Sequence, residues 1–131
     1  MSTIVTAAVI EKDGKVLVAR RKPGLRAGGM WEFPGGKLEA GESPERGLER
    51  ELGEEFGVRA RAGEFLCAVP HPGPPQAIEL LVYRTEVAPG SVFELTDHDE
   101  IRWLAPADMD ESAFTEPDRP VVRLLSARGT A

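Results

Sequence analysis

The sequence contains one cysteine, Cys67, among its 131 residues. A single cysteine cannot form an intramolecular disulfide, which excludes a small secreted domain held together by disulfide bonds. Cys67 lies in the apolar stretch between Phe65 and Val69, and we expect a buried thiol there. A catalytic thiol is the less favoured interpretation.

Long apolar runs and runs of basic residues are also missing. No apolar segment approaches the ~18 residues of a membrane span, and the N-terminus lacks the basic start and apolar core of a signal peptide. The net charge is −6, with acidic and basic residues interleaved, which disfavours binding to polymeric nucleic acid. We expect a cytoplasmic protein that does not bind membranes, with a single domain over residues 1–131, acting as a monomer or homodimer.

Blocks of β-branched and apolar residues, separated by turn residues, predict several strands. Residues 4–10 and 15–19 flank a turn at 11–14, and we expect them to form a β-hairpin. A short strand at 31–33 is expected before a tight turn at Pro34-Gly35-Gly36. Further strands are expected at 64–69, 77–87 and 101–104, with short helical segments after Pro106 and Pro120. This order predicts a mixed α/β fold in which a mixed β-sheet is sandwiched between helices.

One longer helix is predicted from Pro44 to Phe56 by the residues at its two ends. Ser43 is suited to cap the first turn, Pro44 to occupy the first helical position, and Glu45 to interact favourably with the helix dipole. Gly57 can adopt the left-handed conformation that ends a helix.

Three carboxylates of this helix, Glu51, Glu54 and Glu55, are spaced i, i+3 and i+4. This spacing places them on one face, where their charges repel each other. A hard divalent cation such as magnesium would remove the repulsion, because it prefers oxygen ligands and shares them with phosphates. Taken alone, the three residues would more often form only a solvated acidic face.

The surrounding residues favour the metal site. Nine residues fit the pattern G-x5-E-x7-R-E-U-x-E-E-x-G-U, in which U is a bulky aliphatic residue: Gly36, Glu42, Arg50, Glu51, Leu52, Glu54, Glu55, Gly57 and Val58. At average residue usage, a chance match at a given start is on the order of one in 10⁹. The chain therefore resembles the Nudix hydrolases, and the run from Trp31 to Glu39 is similar to their MutT-like branch.

The resemblance implies a Nudix fold and a site that uses Mg²⁺, for which Mn²⁺ could substitute. The backbone carbonyl of Gly35 and the carboxylates of Glu51, Glu54 and Glu55 would hold the metal. Glu51 would activate water, Arg50 would orient a glutamate by a charged hydrogen bond, and Glu54 would also take part in catalysis. The chemistry fits phosphoryl transfer, which needs phosphate charges neutralised and a water placed in line.

Outside the motif, the resemblance implies further ligands. Arg21 and Lys37 would contact phosphates, although both lie among other surface charges. Asp97 stands where relatives commonly place a glutamate that contacts metal or acts in catalysis. Because aspartate is shorter by one methylene group, either the loop lies closer to the metal or the role passes to a water-mediated contact or to a neighbour such as Asp99 or Glu100.

Two histidines, His71 and His98, each stand alone in a polar stretch. A lone histidine in such surroundings could act as a general base but is more often simply exposed. We therefore expect both at the surface and assign neither a catalytic role.

Asp118 occupies the place where MutT-like enzymes read the nucleobase. An aspartate with Pro120 two residues later resembles the CTP pyrophosphohydrolases of this branch. If ionised, it only accepts hydrogen bonds and would favour a base that presents donors, such as the amine of cytosine or the donor edge of guanine. The alternative is a helix cap ahead of Pro120.

The predicted activity is hydrolysis of a nucleoside triphosphate to a monophosphate and pyrophosphate, with an oxidised or modified purine or a cytidine-type base. One alternative is hydrolysis of a nucleoside diphosphate linked to another group, such as ADP-ribose, because Pro74 lies sixteen residues after Val58. Another is a non-catalytic Nudix domain that only senses nucleotides, which predicts loss of carboxylates that this chain retains.

Overall fold

The computed structural model describes residues 2–128, which form two four-stranded sheets and two α-helices. The strands are β1 (Thr3–Val9), β2 (Glu11–Lys12), β3 (Lys15–Arg21), β4 (Trp31–Glu32), β5 (Gly35–Lys37), β6 (Ala60–His71), β7 (Ile78–Val87) and β8 (His98–Leu104). The helices are α1 (Pro44–Phe56) and α2 (Arg119–Arg128), and 3₁₀ turns occupy Pro106–Asp108, Glu111–Ala113 and Glu116–Asp118. Neither α-helix in this part of the chain is long and apolar enough to cross a membrane.

The first sheet is mixed and has the order β5-β1-β7-β6. Within it, β1 and β7 run parallel, whereas β5 pairs with β1 and β6 pairs with β7 in the antiparallel direction. In the second sheet, β3 pairs antiparallel with β2, β4 and β8. The predicted mixed fold is confirmed, and its strands are divided between two sheets.

The predicted hairpin between residues 4–10 and 15–19 is wrong. Strand β1 pairs instead with β7, where Ala7 lies opposite Val82, and with β5, where Ala7 lies opposite Gly35. Only the two residues of β2 fold back onto β3. The reason is visible in the burial of β1, whose last four residues are all buried, as expected for a parallel strand covered on both faces.

Each face of the sheets packs against a different helix. One core contains Leu48 and Leu52 of α1, and the other contains Val121 and Leu125 of α2. Alternate residues of the strands contribute to the two cores, because successive side chains point to opposite faces. The paired sets are Ala7 and Val9 against Ala8 in β1 and Ile10 directly after it, and Val16 and Val18 against Leu17 and Ala19 in β3. The expectation of helices on both sides is confirmed.

Helix α1 begins and ends where the sequence predicts. The Ser43 hydroxyl accepts a hydrogen bond from the Arg46 backbone N–H at 3.2 Å. Gly57 has a φ of 66°, and its N–H donates to the Gly53 carbonyl at 3.0 Å. These caps fix both ends of the helix, whose Glu51 lies against Gly36 of β5.

The predicted tight turn at Pro34-Gly35-Gly36 is also wrong, because both glycines belong to β5. A Cβ atom at Gly35 would overlap the backbone of Thr6, and one at Gly36 would overlap the side chain of Glu51. Glycine is required here for close approach of neighbouring segments.

Candidate active site

The acidic face of α1 meets β5 at Gly36. The Glu51 carboxyl group packs against Gly36, whose carbonyl oxygen accepts a hydrogen bond from the Thr6 hydroxyl at 3.1 Å. Burial raises the pKa of Glu51, and the hydrogen bond and charge of Arg50 act in the opposite direction. The helix therefore presents a partly desolvated carboxylate at the edge of the sheet.

Arg50 joins the helix to the segments before it. Its Nε donates to Glu42 at 2.6 Å, and its Nη1 donates to Glu51 at 3.1 Å and to Glu54 at 3.0 Å. Its Nη2 donates to the Lys37 carbonyl at 3.1 Å. The hydrogen bond from Arg50 lowers the pKa of Glu42. One guanidinium group thus fixes three carboxylates and the end of β5.

Glu55 faces a different neighbour, Asp97. Its Oε2 is buried without a hydrogen-bond partner among residues 2–128, and burial and the nearby Asp97 carboxyl group raise the pKa of Glu55. The Thr96 hydroxyl donates to the Glu55 carbonyl at 2.9 Å, and the Lys22 N–H donates to the Asp97 carbonyl at 3.0 Å. These two bonds hold Asp97 beside the end of the helix.

The three helix carboxylates therefore form two groups, with Glu51 and Glu54 on Arg50 and Glu55 on Asp97. Within residues 2–128, no three acidic, histidine or cysteine side chains stand together as a closed metal cluster. The donor set nevertheless fits a divalent cation, because the buried Oε2 of Glu55 lacks a partner and adjoins a second carboxylate. The side chain of Glu54 is 60% exposed, and the described structure holds it by the hydrogen bond from Arg50.

A cavity of about 580 Å³ adjoins this acidic face. Gly35, Gly36 and Lys37 of β5 line it on the side of α1. Its apolar wall includes Phe33, Ile78 and Leu80, and its charged lining residues are Arg21, Arg26, Glu32, Lys37, Glu116 and Arg119. Gly36 touches both the cavity and Glu51, so that a molecule bound at this end of the cavity would lie close to the Glu51 carboxyl group.

The comparisons with known proteins agree with this geometry. A family model described as the NUDIX domain matches residues 2–125. The chain belongs to the Nudix family. It is 32% identical to the CTP pyrophosphohydrolase of Escherichia coli over 94% of this chain and 90% of that protein. It is 30% identical to the 8-oxo-dGTP diphosphatase of Haemophilus influenzae, covering 92% and 89% of the two chains.

A solved relative has the same architecture. The solution structure of the E. coli ORF135 protein, which is 32% identical, superimposes with a TM-score of 0.80 and covers 96% of this chain and 89% of that chain. The chain is thus a Nudix hydrolase of the MutT-like branch, as its Nudix motif predicts. Members of this family typically depend on divalent metal ions.

Two of the predicted substrate contacts of this Nudix domain line the cavity. Lys37 ends β5, and Arg21 ends β3. The Arg21 Nε donates to the Arg26 carbonyl at 2.6 Å, and its Nη1 donates to Glu32 at 3.2 Å. Arg21 therefore holds the loop after β3 against the cavity wall, and Arg26 adds a cation that the sequence analysis did not single out.

The third predicted contact, Asp118, is buried and only 5% exposed. Its Oδ2 accepts a hydrogen bond from the Thr115 hydroxyl at 2.7 Å. Burial, together with the charge of Glu32, raises the pKa of Asp118 to about 8. A carboxyl group with this pKa carries a proton at pH 7 and can donate a hydrogen bond as well as accept one.

Both histidines of this Nudix domain differ from the expectation of exposure. His98 is 4% exposed, its ring stacks on Phe56 with centroids 5.2 Å apart, and its Nε2 lies 2.7 Å from Glu32. His71 lines the cavity, with its Nε2 3.2 Å from Glu116. Glu32, which contacts both His98 and Arg21, was not among the predicted site residues, although its position between Trp31 and Phe33, just before the glycine pair, is a signal in the sequence.

Proposed function

We propose that this chain, as a single Nudix domain, hydrolyses a nucleoside triphosphate to a monophosphate and pyrophosphate with the help of Mg²⁺. One observation carries the proposal: the cavity and the Glu51 carboxyl group of α1 meet at Gly36. A cavity of about 580 Å³ lies within the size range of small-ligand sites. A nucleoside in the cavity would place its phosphates toward Lys37 and Glu51.

The residues at this junction have distinct roles. The Gly35 carbonyl and the carboxylates of Glu51, Glu54, Glu55 and Asp97 would hold the metal. When bound, Mg²⁺ would neutralise phosphate charge and polarise the phosphorus centre. Glu51 would accept a proton from the attacking water. The water oxygen forms a bond to phosphorus as the bridging P–O bond breaks, and pyrophosphate leaves.

Arg50 stabilises the ionised form of Glu51 through the hydrogen bond from its Nη1 and through its charge. A carboxyl group must be ionised to accept a proton as a base. Burial acts in the opposite direction and raises the pKa of Glu51, which makes its carboxylate a stronger base.

The cavity also favours a nucleotide with several phosphates. Arg21, Arg26 and Lys37 place three cations along its lining, and clustered cations attract a polyanion. The half-buried apolar side chains of Val5 and Ile78 in the lining offer a surface on which a base can pack.

For the base, we propose an oxidised or modified purine or a cytidine-type base. The proposal is supported by the similarity to the CTP pyrophosphohydrolase and the 8-oxo-dGTP diphosphatase. Asp118 stands between the lining residues Pro117 and Arg119, and to contact the base its carboxyl group, which is 5% exposed and hydrogen-bonded to Thr115, would have to turn toward the cavity. Cytosine and guanine both present hydrogen-bonding groups for such a contact.

A product assay tests the proposed function. The enzyme with Mg²⁺ is incubated with the four common nucleoside triphosphates, their deoxy forms, 8-oxo-dGTP and 5-methyl-dCTP, and the products are separated by ion-exchange chromatography. We expect monophosphate and pyrophosphate in equal amounts, with the highest kcat/KM for a cytidine-type or oxidised guanine substrate. Release of inorganic phosphate as the sole product contradicts the proposal.

A second candidate is hydrolysis of a nucleoside diphosphate linked to another group, which is supported by the position of Pro74 in the cavity lining. The same assay with ADP-ribose distinguishes the two activities. A kcat/KM for ADP-ribose above that for every triphosphate favours the second candidate.

A further inference from the structure

Three neighbouring strands of the second sheet bring together His98, Arg21 and Glu32. Strand β3 lies between β4 and β8, and Arg21 at its end is paired with His98 of β8. The pairing shifts register between Arg20 and Arg21, where Asp99 is the extra residue of β8. Such a bulge redirects the side chains beside it, and here it accompanies a His98 ring that is buried and directed toward Glu32.

His98 is an unusual choice for a buried position. It is 4% exposed and packs against the ring of Phe56, an environment in which a phenylalanine or leucine would pack without polar atoms. Its Nδ1 is buried and has no hydrogen-bond partner among the described residues. Burying a polar atom without a partner is costly. The Nε2 of the same ring must therefore make a contact that compensates for this cost.

That contact is the hydrogen bond to Glu32, whose Oε2 lies 2.7 Å from Nε2. Because a carboxylate only accepts hydrogen bonds, the Nε2 of His98 carries the proton. Arg21 donates to the same Oε2 at 3.2 Å. Two donors thus hold one oxygen of Glu32, and within residues 2–128 we find no hydrogen bond to the other, Oε1.

Glu32 lines the cavity, whereas His98 does not. We propose that His98 is a positioning residue that fixes the Glu32 carboxylate so that its Oε1 accepts a hydrogen bond from a hydroxyl or amino group of the bound nucleotide. The role rests on the proposed function in one respect, since it assigns the cavity to the nucleoside part of the substrate. It makes His98 a determinant of nucleotide affinity although it lies behind the cavity wall.

The test compares two substitutions of His98. His98→Leu keeps the apolar contact with Phe56 and removes the donor, whereas His98→Gln keeps a donor in a similar place. We expect KM for the best triphosphate to rise about 10-fold to 100-fold in His98→Leu, the effect of losing a hydrogen bond to a charged group. We expect kcat to change less than about threefold, and His98→Gln to recover most of the affinity. Arg102→Gln, exposed on the same strand, is the matched control.

A double-mutant cycle separates this role from a purely structural one. If His98 acts through Glu32, the single substitution Glu32→Gln raises KM, and adding His98→Leu to it raises KM little further. Additive losses, a fall in kcat at unchanged KM, or a His98→Gln variant as weak as His98→Leu overturn the proposal. Circular dichroism and melting temperature confirm that each variant is folded.

Calorimetric titration with dCMP and dGMP in EDTA gives a readout that is independent of hydrolysis and metal. We expect His98→Leu to weaken the binding of the monophosphate preferred by the wild type by the same factor as KM. Equal affinity in the two proteins, or no wild-type binding of either monophosphate, overturns the inference. If instead the wild type binds a monophosphate but releases no pyrophosphate from any triphosphate, the proposed function fails, and the binding series still decides the role of His98.

Discussion

The carboxyl group of Glu51 lies directly against Gly36, and a Cβ atom at position 36 would overlap it. Gly36 is an ordinary strand residue paired with Thr6, and the glycine is not needed for a turn. The contact brings a helix carboxylate to the edge of the cavity. The position of Glu51 therefore depends on the absence of a side chain on the neighbouring strand.

Gly36→Ala should consequently disturb catalysis more than folding. The overlapping atoms belong to the flexible end of Glu51, which can move aside and leave its place. We expect kcat to fall about 100-fold, as displacement of a reacting group by about 1 Å does, while the melting temperature changes little. Steady-state kinetics and calorimetry measure the two quantities.

Gly53→Ala in α1 is the control for this substitution. A Cβ atom there would meet only the Val58 carbonyl oxygen, at 3.8 Å. We expect unchanged kcat and a stability gain of about 0.5–1 kcal/mol, because alanine is the better helix former. Equal losses of activity in Gly36→Ala and Gly53→Ala would show that the Glu51 contact is not responsible.

Arg50→Lys tests whether the geometry of the guanidinium group matters beyond its charge. Lysine keeps the charge but cannot reach Glu42, Glu51 and Glu54 at once, as the fork of Arg50 does. We expect kcat to fall about 100-fold because Glu51 loses its orientation. The effect on stability should be smaller, because lysine keeps the positive charge and can still pair with one of the half-buried carboxylates of Glu42 and Glu51.

Arg46→Lys, on an exposed position of the same helix, should leave both quantities unchanged. Kinetics at saturating Mg²⁺, together with urea denaturation, give the comparison. If Arg50→Lys retains full kcat, the charge of Arg50 alone is sufficient.

Local signals in the sequence predicted the two ends of α1 and the arrangement of its glutamates on one face. The caps at Ser43 and Gly57 act within one turn of the helix, and the i, i+3, i+4 spacing of Glu51, Glu54 and Glu55 follows from helix geometry. Such features depend on neighbours in the chain and are readable without knowledge of the rest of the fold.

Long-range pairing was not readable in the same way. From the sequence, residues 4–10 could pair with the next strand or with a distant one. Their apolar character on both faces favours the parallel partner β7 once the positions of the two helices on opposite faces are known. The separation of Glu55 from Glu51 has the same origin, because Asp97 reaches α1 from a loop that precedes β8.

His98 was missed for a specific physical reason. On a regular strand, His98 would share a face with Glu100 and Arg102, which suggests exposure. The bulge at Asp99 breaks this alternation, and His98 is buried. A one-residue bulge leaves no clear mark in the composition of the strand.

Removal of metal and removal of a metal-binding charge should have parallel effects. We expect EDTA to abolish activity and Mg²⁺ to restore it. Glu54→Gln should lower kcat by orders of magnitude and weaken Mn²⁺ binding measured by electron paramagnetic resonance, because it removes one negative charge from the acidic face. The fold should remain intact, since this side chain is 60% exposed.

Glu45→Gln serves as the control, because Glu45 is exposed in the first turn of α1, away from the junction at Gly36. It should bind Mn²⁺ as the wild type does. An unimpaired Glu54→Gln variant would remove Glu54 from the metal site.

The buried carboxyl group of Asp118 predicts a dependence of stability on pH. Its pKa is raised from an ordinary value of 3.8 to about 8 in the folded protein, first by burial and then by the charge of Glu32. The folded state therefore binds more protons than the unfolded state between these values, and stability falls as pH rises through this window. Relative to Asp118→Asn, which cannot ionise, we expect the wild-type free energy of unfolding to decrease by on the order of 5 kcal/mol between about pH 4 and pH 8. Urea denaturation across this range measures the difference.

Asp110→Asn is the control, because the Ser112 hydrogen bonds lower the pKa of Asp110, so that its contribution is lost only in acid. If the difference between wild type and Asp118→Asn stays constant across the window, Asp118 is ionised in the folded protein.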